Sequence, residues 1–385
     1  MKVAFVTIYD IARAFGGVSL FATHALEDQD VTLQKIQVPP RWTAWRRIKE
    51  SFNARLLKRE YSITRDPAVL REMGQTIDQR LDSDVDAILS PMSPGSQPIT
   101  YVRTRKPVVI WTDTTLAQAV DMYPELKRLG RKSIAAGLRN ERRALERCDR
   151  VMYSSHWAAK AAIDIYGLDP AKVGIVPFGP AIEPPTNARV VEALLRRREP
   201  HCCRLLSIAS SWTRKRMDIA IAIASMVNHC QLPCSLTVVG AKPPGSSALP
   251  QFVNAIGRID KQTPTGRRMM RRLMGLSHFM ILPTGADLTP IAFSEANSFA
   301  LPVLTTNVGG ISTIIHDNIN GHKFDINARN EEYSRYIIHV MSQRGRYHEL
   351  ATGTYYHYIR HLSWNVIASA LVDAIRQVTK ESSPA

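Results

Sequence analysis

The sequence is short of several things. Five cysteines in 385 residues, Cys148, Cys202, Cys203, Cys230 and Cys234, are an odd number. The last two form C-x3-C, but no second Cys or His pair follows at a zinc-site distance, so they read as free thiols of a reducing, cytoplasmic compartment. No run of about 18 uncharged apolar residues occurs, and MKVAFVTIYD lacks the apolar core of a signal peptide. The chain is therefore expected not to cross a membrane, although it can lie on one. It has no short repeat, no low-complexity tract, no G-x-G-x-x-G and no H-E-x-x-H, which disfavours a dinucleotide cofactor and a zinc-peptidase centre. Acids are scarce as well. Against 50 Lys+Arg stand 34 Asp+Glu, a net charge of +16, which makes nucleic acid, anionic lipid or a phosphorylated small molecule the first partners to consider. The excess runs through both halves instead of filling a basic tail, which weakens the nucleic-acid reading.

What is present is a soluble globular composition, 45% hydrophobic, long enough for two to three average domains. Short apolar or β-branched runs recur between helical segments: residues 3–8, 87–89, 108–111, 151–153 and 173–176. A Pro-rich stretch, GPAIEPPTN, follows Phe178, and the alternation restarts at 204–208, 235–239, 279–282 and 303–305. This predicts an α/β protein of two Rossmann-like domains facing across a cleft. The boundaries are 1–180, a linker at 181–200, 201–362, and a C-terminal helix at 363–385 that is free to pack back on the first domain.

The most informative stretch is LPTGADLTPIAFSEANSFALPVLTTNVGGI, residues 282–311. A strand runs into a loop, then Thr289 and Pro290 supply a favoured N-cap and first helical position. The free N–H groups and dipole of that helix make Leu288, Thr289, Pro290 and Ile291 a cradle for a phosphate. Asp287 before the helix and Glu295 within it would not hold phosphate, so they are expected to hold sugar or ribose hydroxyls. Gly309 and Gly310 permit a second close backbone approach after the next strand.

This pattern resembles the retaining glycosyltransferases of family 4, members of glycosyl transferases group 1 with the GT-B fold. Asp287 and Glu295 fall on that family's two acidic positions, Asp replacing the usual Glu at the first, and Leu301-Pro302-Val303 with Val308-Gly309-Gly310-Ile311 completes the match. The resemblance further implies that Arg214 and Lys215, in SIASSWTRKRMDIAIAIA, neutralise the donor diphosphate. An Arg that many members carry six residues before the Lys is Ala209 here. The alternative for Arg214 and Lys215 is a solvated basic loop.

In the first half the resemblance covers MKVAFVTIYD with Gly16 and Gly17, where backbone approaches donor or acceptor. It also covers VVIWTDTT, whose Asp113 lies near an acceptor-side catalytic position; a turn or cap role for Asp113 is an equal alternative. Ser154 and Ser155 read as helix caps. Asp82-Ser83-Asp84 imitates a metal-binding D-x-D but reads as a solvated turn, and no metal is expected at the reaction centre. Residues 41–60 set Trp45, Ile48, Phe52 and Leu56 at near-helical spacing among Arg46, Arg47, Lys49, Arg55, Lys58 and Arg59. That pattern suits an anionic membrane surface, with an ordinary core-facing helix as the equal alternative. Arg267, Arg268, Arg271 and Arg272 form a second basic face that reads as solvation.

The resemblance implies transfer of a sugar from a nucleotide-diphosphate donor to an acceptor hydroxyl with retention, in polysaccharide or lipid-linked glycan assembly. It implies no cofactor beyond that co-substrate, and a cytoplasmic place, peripheral on the inner face of the membrane. The alternatives are a sugar-nucleotide epimerase or phosphorylase on the same fold, or a non-enzymatic anionic-ligand or docking protein.

Overall fold

A computed structural model describes residues 1–56, 60–91, 93–245 and 248–381, with the side chains of 54–56 outside the description. The chain divides into two compact units, Met1–Phe178 with Ile367–Ala385, and Gly179–Val366. The stretch expected to be a linker contains a helix, Ala188–Arg196, and belongs to the second unit. The last helix, Trp364–Glu381, contributes its residues from Ile367 onward to the first.

The first unit holds strands β1 (Lys2–Thr7), β2 (Thr32–Gln37), β3 (Ala87–Pro91), β4 (Val108–Thr112), β5 (Arg150–Tyr153) and β6 (Val173–Ile175). All pair in parallel, in the order β2-β1-β3-β4-β5-β6. β1, β3 and β4 are apolar along nearly their whole length and buried, as strands covered on both faces by crossover helices must be.

The second unit repeats the design with β7 (Cys203–Ala209), β8 (Cys234–Gly240), β9 (Val253–Gly257), β10 (Phe279–Leu282), β11 (Val303–Thr306) and β12 (Gly321–Phe324). Its order, β12-β11-β10-β7-β8-β9, is again wholly parallel. The chain leaves β7 towards β8 and β9 on one side and returns to β10 on the other. The loops after β7 and β10 therefore diverge at a topological switch point, where open α/β sheets bind ligands. Among the described residues, no helix is long and apolar enough to cross a membrane.

Candidate functional site

The loop after β7 runs from Ser210 to Arg216 and ends in the helix Met217–His229. The loop after β10 runs from Pro283 to Pro290 and ends in the helix Ile291–Ser298. Hydrogen bonds to main-chain carbonyls hold these loops in one frame. Gly285 N–H donates to Arg214 O at 2.9 Å, and Thr306 Oγ1, at the end of β11, donates to Thr284 O. Gly310 N–H donates to Leu288 O at 2.7 Å, drawing in the turn after β11, where Gly309 takes a left-handed φ of 55° that favours glycine.

The helix starts one residue later than the sequence predicts. Pro290, at φ −67° and ψ 112°, is the N-cap and Ile291 the first helical residue, so Thr289 precedes the cap. Proline's fixed φ suits an extended cap as well as a first turn.

Side chains converge on this frame. Lys215 Nζ bonds Asp287 Oδ2, while Arg214 Nη1 stands 3.9 Å from Asp287 Oδ1 and donates to Ala286 O at 2.8 Å. Lys215 is buried, which excludes a merely solvated basic loop. Burial holds its ammonium below the usual lysine range, and the neighbouring Asp287 carboxylate opposes that shift. Glu295, also buried, accepts from Lys261 Nζ at 2.5 Å. The structure thus joins Arg214 and Lys215 to Asp287, brings Gly310 to Leu288, and gives Glu295 its own cation. Ala209 ends β7 and supplies no charge of its own.

Sequence reasoning missed two residues. Lys261, from the loop after β9, carries no motif. Arg198 is buried and donates from all its nitrogens: Nε to Gly275 O at 3.2 Å, Nη1 to Ala300 O at 2.6 Å and Tyr347 Oη at 2.8 Å, Nη2 to Met274 O at 3.3 Å and Phe299 O at 2.8 Å. It therefore ties the C-terminal ends of the helices Pro264–Leu276 and Ile291–Ser298, where a cation is favoured by the dipole. The second helix is the one that carries Glu295, so Arg198 fixes that carboxylate's mount.

The remaining candidates lie in the first unit. Gly16 and Gly17, at φ 67° and 110°, follow β1 in a turn that ends at the helix Val18–Glu27. Asp113 directly follows β4, half-buried. Ser155 caps the helix His156–Tyr166 as expected, accepting from Ala158 N–H at 3.2 Å. Asp82, Ser83 and Asp84 form an exposed turn as expected, with Lys2 Nζ bound to Asp82 at 2.8 Å and to Asp84 at 2.6 Å. Among the described residues no group of three His, Cys, Asp or Glu is arranged to hold a metal ion.

The helix Ala44–Leu56 corrects the core-facing alternative. Trp45, Ile48 and Phe52 are 71%, 58% and 52% exposed. Its charges are not all available either. Arg46 is buried against Glu72 at 2.5 Å, and Lys49 binds Asp66 at 2.8 Å, whereas Arg47 is exposed. Lys58, Arg59 and the side chains of Arg55 and Leu56 lie outside the described residues.

Residues 203–343 match the family model "Glycosyl transferases group 1". A D-inositol 3-phosphate glycosyltransferase of Thermomonospora curvata is 20% identical over 282 residues, 68% of this chain and 62% of that protein, so the match spans less than two thirds of that relative. WaaG, a glycosyltransferase involved in lipopolysaccharide biosynthesis, superposes with a TM-score of 0.60 at 17% identity, covering 97% of this chain and 99% of its own. Anabaena Alr3699/HepE, solved in complex with UDP-glucose, gives 0.62 at 14% identity, covering 98% and 100%. Residues 203–343 thus resemble a glycosyltransferase family model, and the chain shares the GT-B fold of these solved structures.

Proposed function

We propose, from the premise that residues 203–343 form a group 1 glycosyltransferase module on a GT-B fold, that the chain transfers a sugar from a nucleoside-diphosphate sugar to an acceptor hydroxyl. The transfer retains anomeric configuration and serves polysaccharide or lipid-linked glycan assembly. One observation carries the reading: at the switch point of the second sheet, Arg214 and Lys215 meet Asp287 immediately before the helix Ile291–Ser298 that carries Glu295.

On this reading the donor diphosphate lies against Arg214, Lys215 and the helix start at Leu288, Thr289, Pro290 and Ile291. Gly309 and Gly310 give close backbone approach, and Asp287 and Glu295 hold donor sugar and ribose hydroxyls. Cationic groups preset for the departing diphosphate stabilise the charge that develops as the bond breaks. The C1–O bond to phosphate breaks on the same face on which the C1–O bond to the acceptor forms. The acceptor proton passes to the leaving phosphate oxygen. The chain's own cations do the neutralising, so the scheme requires no metal and activity should persist in a chelator. Asp113 serves the acceptor side on the first unit, and Gly16 and Gly17 give close backbone approach to the donor.

A membrane partner belongs to the same proposal. Tryptophan, isoleucine and phenylalanine exposed along one helix beside Arg47 suit the interface of an anionic bilayer. Co-flotation with vesicles containing anionic lipid should fall when Trp45 and Phe52 are both changed to Ala; unaltered flotation would remove the membrane from the account.

The functional test is a thermal-shift panel of UDP, GDP and ADP with their sugars, followed by a transfer assay. A stabilising nucleoside diphosphate and loss of transfer in Glu295→Ala are expected. No shift across the panel, or full activity in that variant, would overturn the reading.

A further inference from the structure

Among the described residues of the first unit, Glu141 is the only buried carboxylate, 1% exposed. It projects from the helix Arg131–Arg147, and its two oxygens accept the Leu116 N–H at 3.0 and 2.8 Å. Tyr166 Oη donates to it, and the Gly95 main chain hydrogen-bonds it as well. Gly95 belongs to the loop after β3, and Leu116 opens the helix Leu116–Met122 at the end of the loop after β4, so one carboxylate ties both loops.

Packing repeats the tie. A Cβ on Gly95 or Gly137 would meet Leu116 Cδ2 at 2.6 or 2.5 Å, so the Leu116 side chain is clamped between the first loop and Glu141's own helix. Leu116 is three residues past Asp113. The charged and titratable neighbours are Arg65, Tyr166 and Tyr153, with Arg142 over the Tyr166 ring at 5.3 Å and Tyr9 acting on Arg65. Arg65 is tethered by Ser62 Oγ at 3.1 Å and Pro94 O at 3.4 Å, and its Nε is buried without a hydrogen-bond partner. Burial pushes the Glu141 carboxyl up to about 7, against the pull of Tyr166, the two main-chain donors and Arg65.

We propose that Glu141 is a positioning residue for the acceptor side: its ionised carboxylate draws the loops 93–97 and 113–116 onto one point and so sets Asp113. Protonation removes the charge to which both N–H groups are directed, and the two loops loosen. The link to transfer rests on the reading that Asp113 serves the acceptor; the loop ordering itself does not.

The experiment is amide exchange of residues 93–97 and 113–116 between about pH 5.5 and 8.5, corrected for intrinsic exchange, in wild type, Glu141→Gln and Tyr166→Phe. It is paired with turnover of UDP-glucose using octyl β-glucoside as acceptor probe. Protection in the wild type should rise with pH through about 7. Glu141→Gln should abolish that dependence, and Tyr166→Phe should move the midpoint alkaline by removing a hydrogen bond that favours the ionised form. Turnover in Glu141→Gln should fall by roughly 10²-fold and lose the same pH limb, as a misplaced catalytic loop does. The UDP thermal shift should stay as in wild type. Protection without pH dependence in the wild type, or an unmoved midpoint in Tyr166→Phe, would overturn the positioning role whether or not the probe turns over. Lack of turnover and of a UDP shift would instead strike the functional reading.

Discussion

The two units present the same sheet edge with opposite electrostatic designs. In the second unit the carboxyl edge is crowded with compensated charge: Lys215 and Arg214 on Asp287, Lys261 on Glu295. In the first, the buried polar side chains of the corresponding loops are serines, threonines and glutamine, Asp113 being half-buried, with one buried carboxylate, Glu141, bound mainly to main-chain N–H and a tyrosine. Buried ion pairs are held only when their partners compensate the lost hydration, and removing one partner strands the other. An edge made of such pairs is suited to a ligand that brings charge of its own and exchanges partners with them. An edge made of hydroxyls is suited to a neutral, hydroxyl-bearing ligand. Under the proposed function, this contrast suits a charged donor on the second unit and a hydroxyl-bearing acceptor on the first.

The largest way to break this contrast is Lys215→Ala. It should lower transfer by about 10³-fold, the range seen when a transition-state charge partner is removed. It should also destabilise the free protein by about 3 kcal/mol, because Asp287 is left buried with Arg214 only at 3.9 Å. A variant with wild-type turnover would erase the distinction between the edges. Next comes Arg198→Met. Four main-chain carbonyls and Tyr347 lose their donor, and a loss of about 3 kcal/mol is expected in denaturant unfolding, with a smaller fall in UDP affinity through the helix that carries Glu295. Asp113→Asn sharpens the other side. Turnover should drop about tenfold while the UDP thermal shift is unchanged, as expected for a group that acts on the acceptor only.

The smallest effect is a control. His278 is buried, accepts from Arg204 N–H at 3.0 Å and contacts Glu199 O at 2.9 Å. Burial and Arg198 depress its pKa to about 4. A depressed histidine stabilises the fold above its unfolded pKa near 6.5, and that contribution is lost as pH falls from about 6.5 towards 4. His278→Gln should flatten this acid limb by about 2 kcal/mol in stability measured against pH. Because it lies away from the charged edge, transfer at neutral pH should not follow it.

Legibility followed the physics of each signal. The strands β1, β3, β4, β5, β7, β8, β10 and β11 could be read because buried parallel strands are continuous apolar runs, and the half-buried edge strand β6 because Val173, Ile175 and Val176 are β-branched. β2, β9 and β12 went unread. They lie at sheet edges, and TLQKIQ and GHKF mix polar residues into half-exposed strands. Asp287 and Glu295 stood out by the helix start they flank and Arg214 and Lys215 by the resemblance alone, and the structure brings Arg214 and Lys215 to Asp287. Lys261 and Arg198 were not. Lys261 reaches Glu295 across 34 residues and Arg198 reaches Tyr347 across 149, and no short-range pattern encodes either contact. The surface stripe of Trp45, Ile48 and Phe52 showed the reverse limit. Periodicity revealed an apolar face without revealing whether a core covered it.

The central claim is that the paired charges of the second unit are a nucleoside-diphosphate site. Calorimetric titration of UDP into the full chain, its Lys215→Ala form and its Asp113→Asn form tests it most directly. Binding by the wild type and Asp113→Asn with equal affinity, weakened at least about tenfold in Lys215→Ala, is the expected result. Equal affinity in all three, or weakening by Asp113→Asn alone, would contradict it.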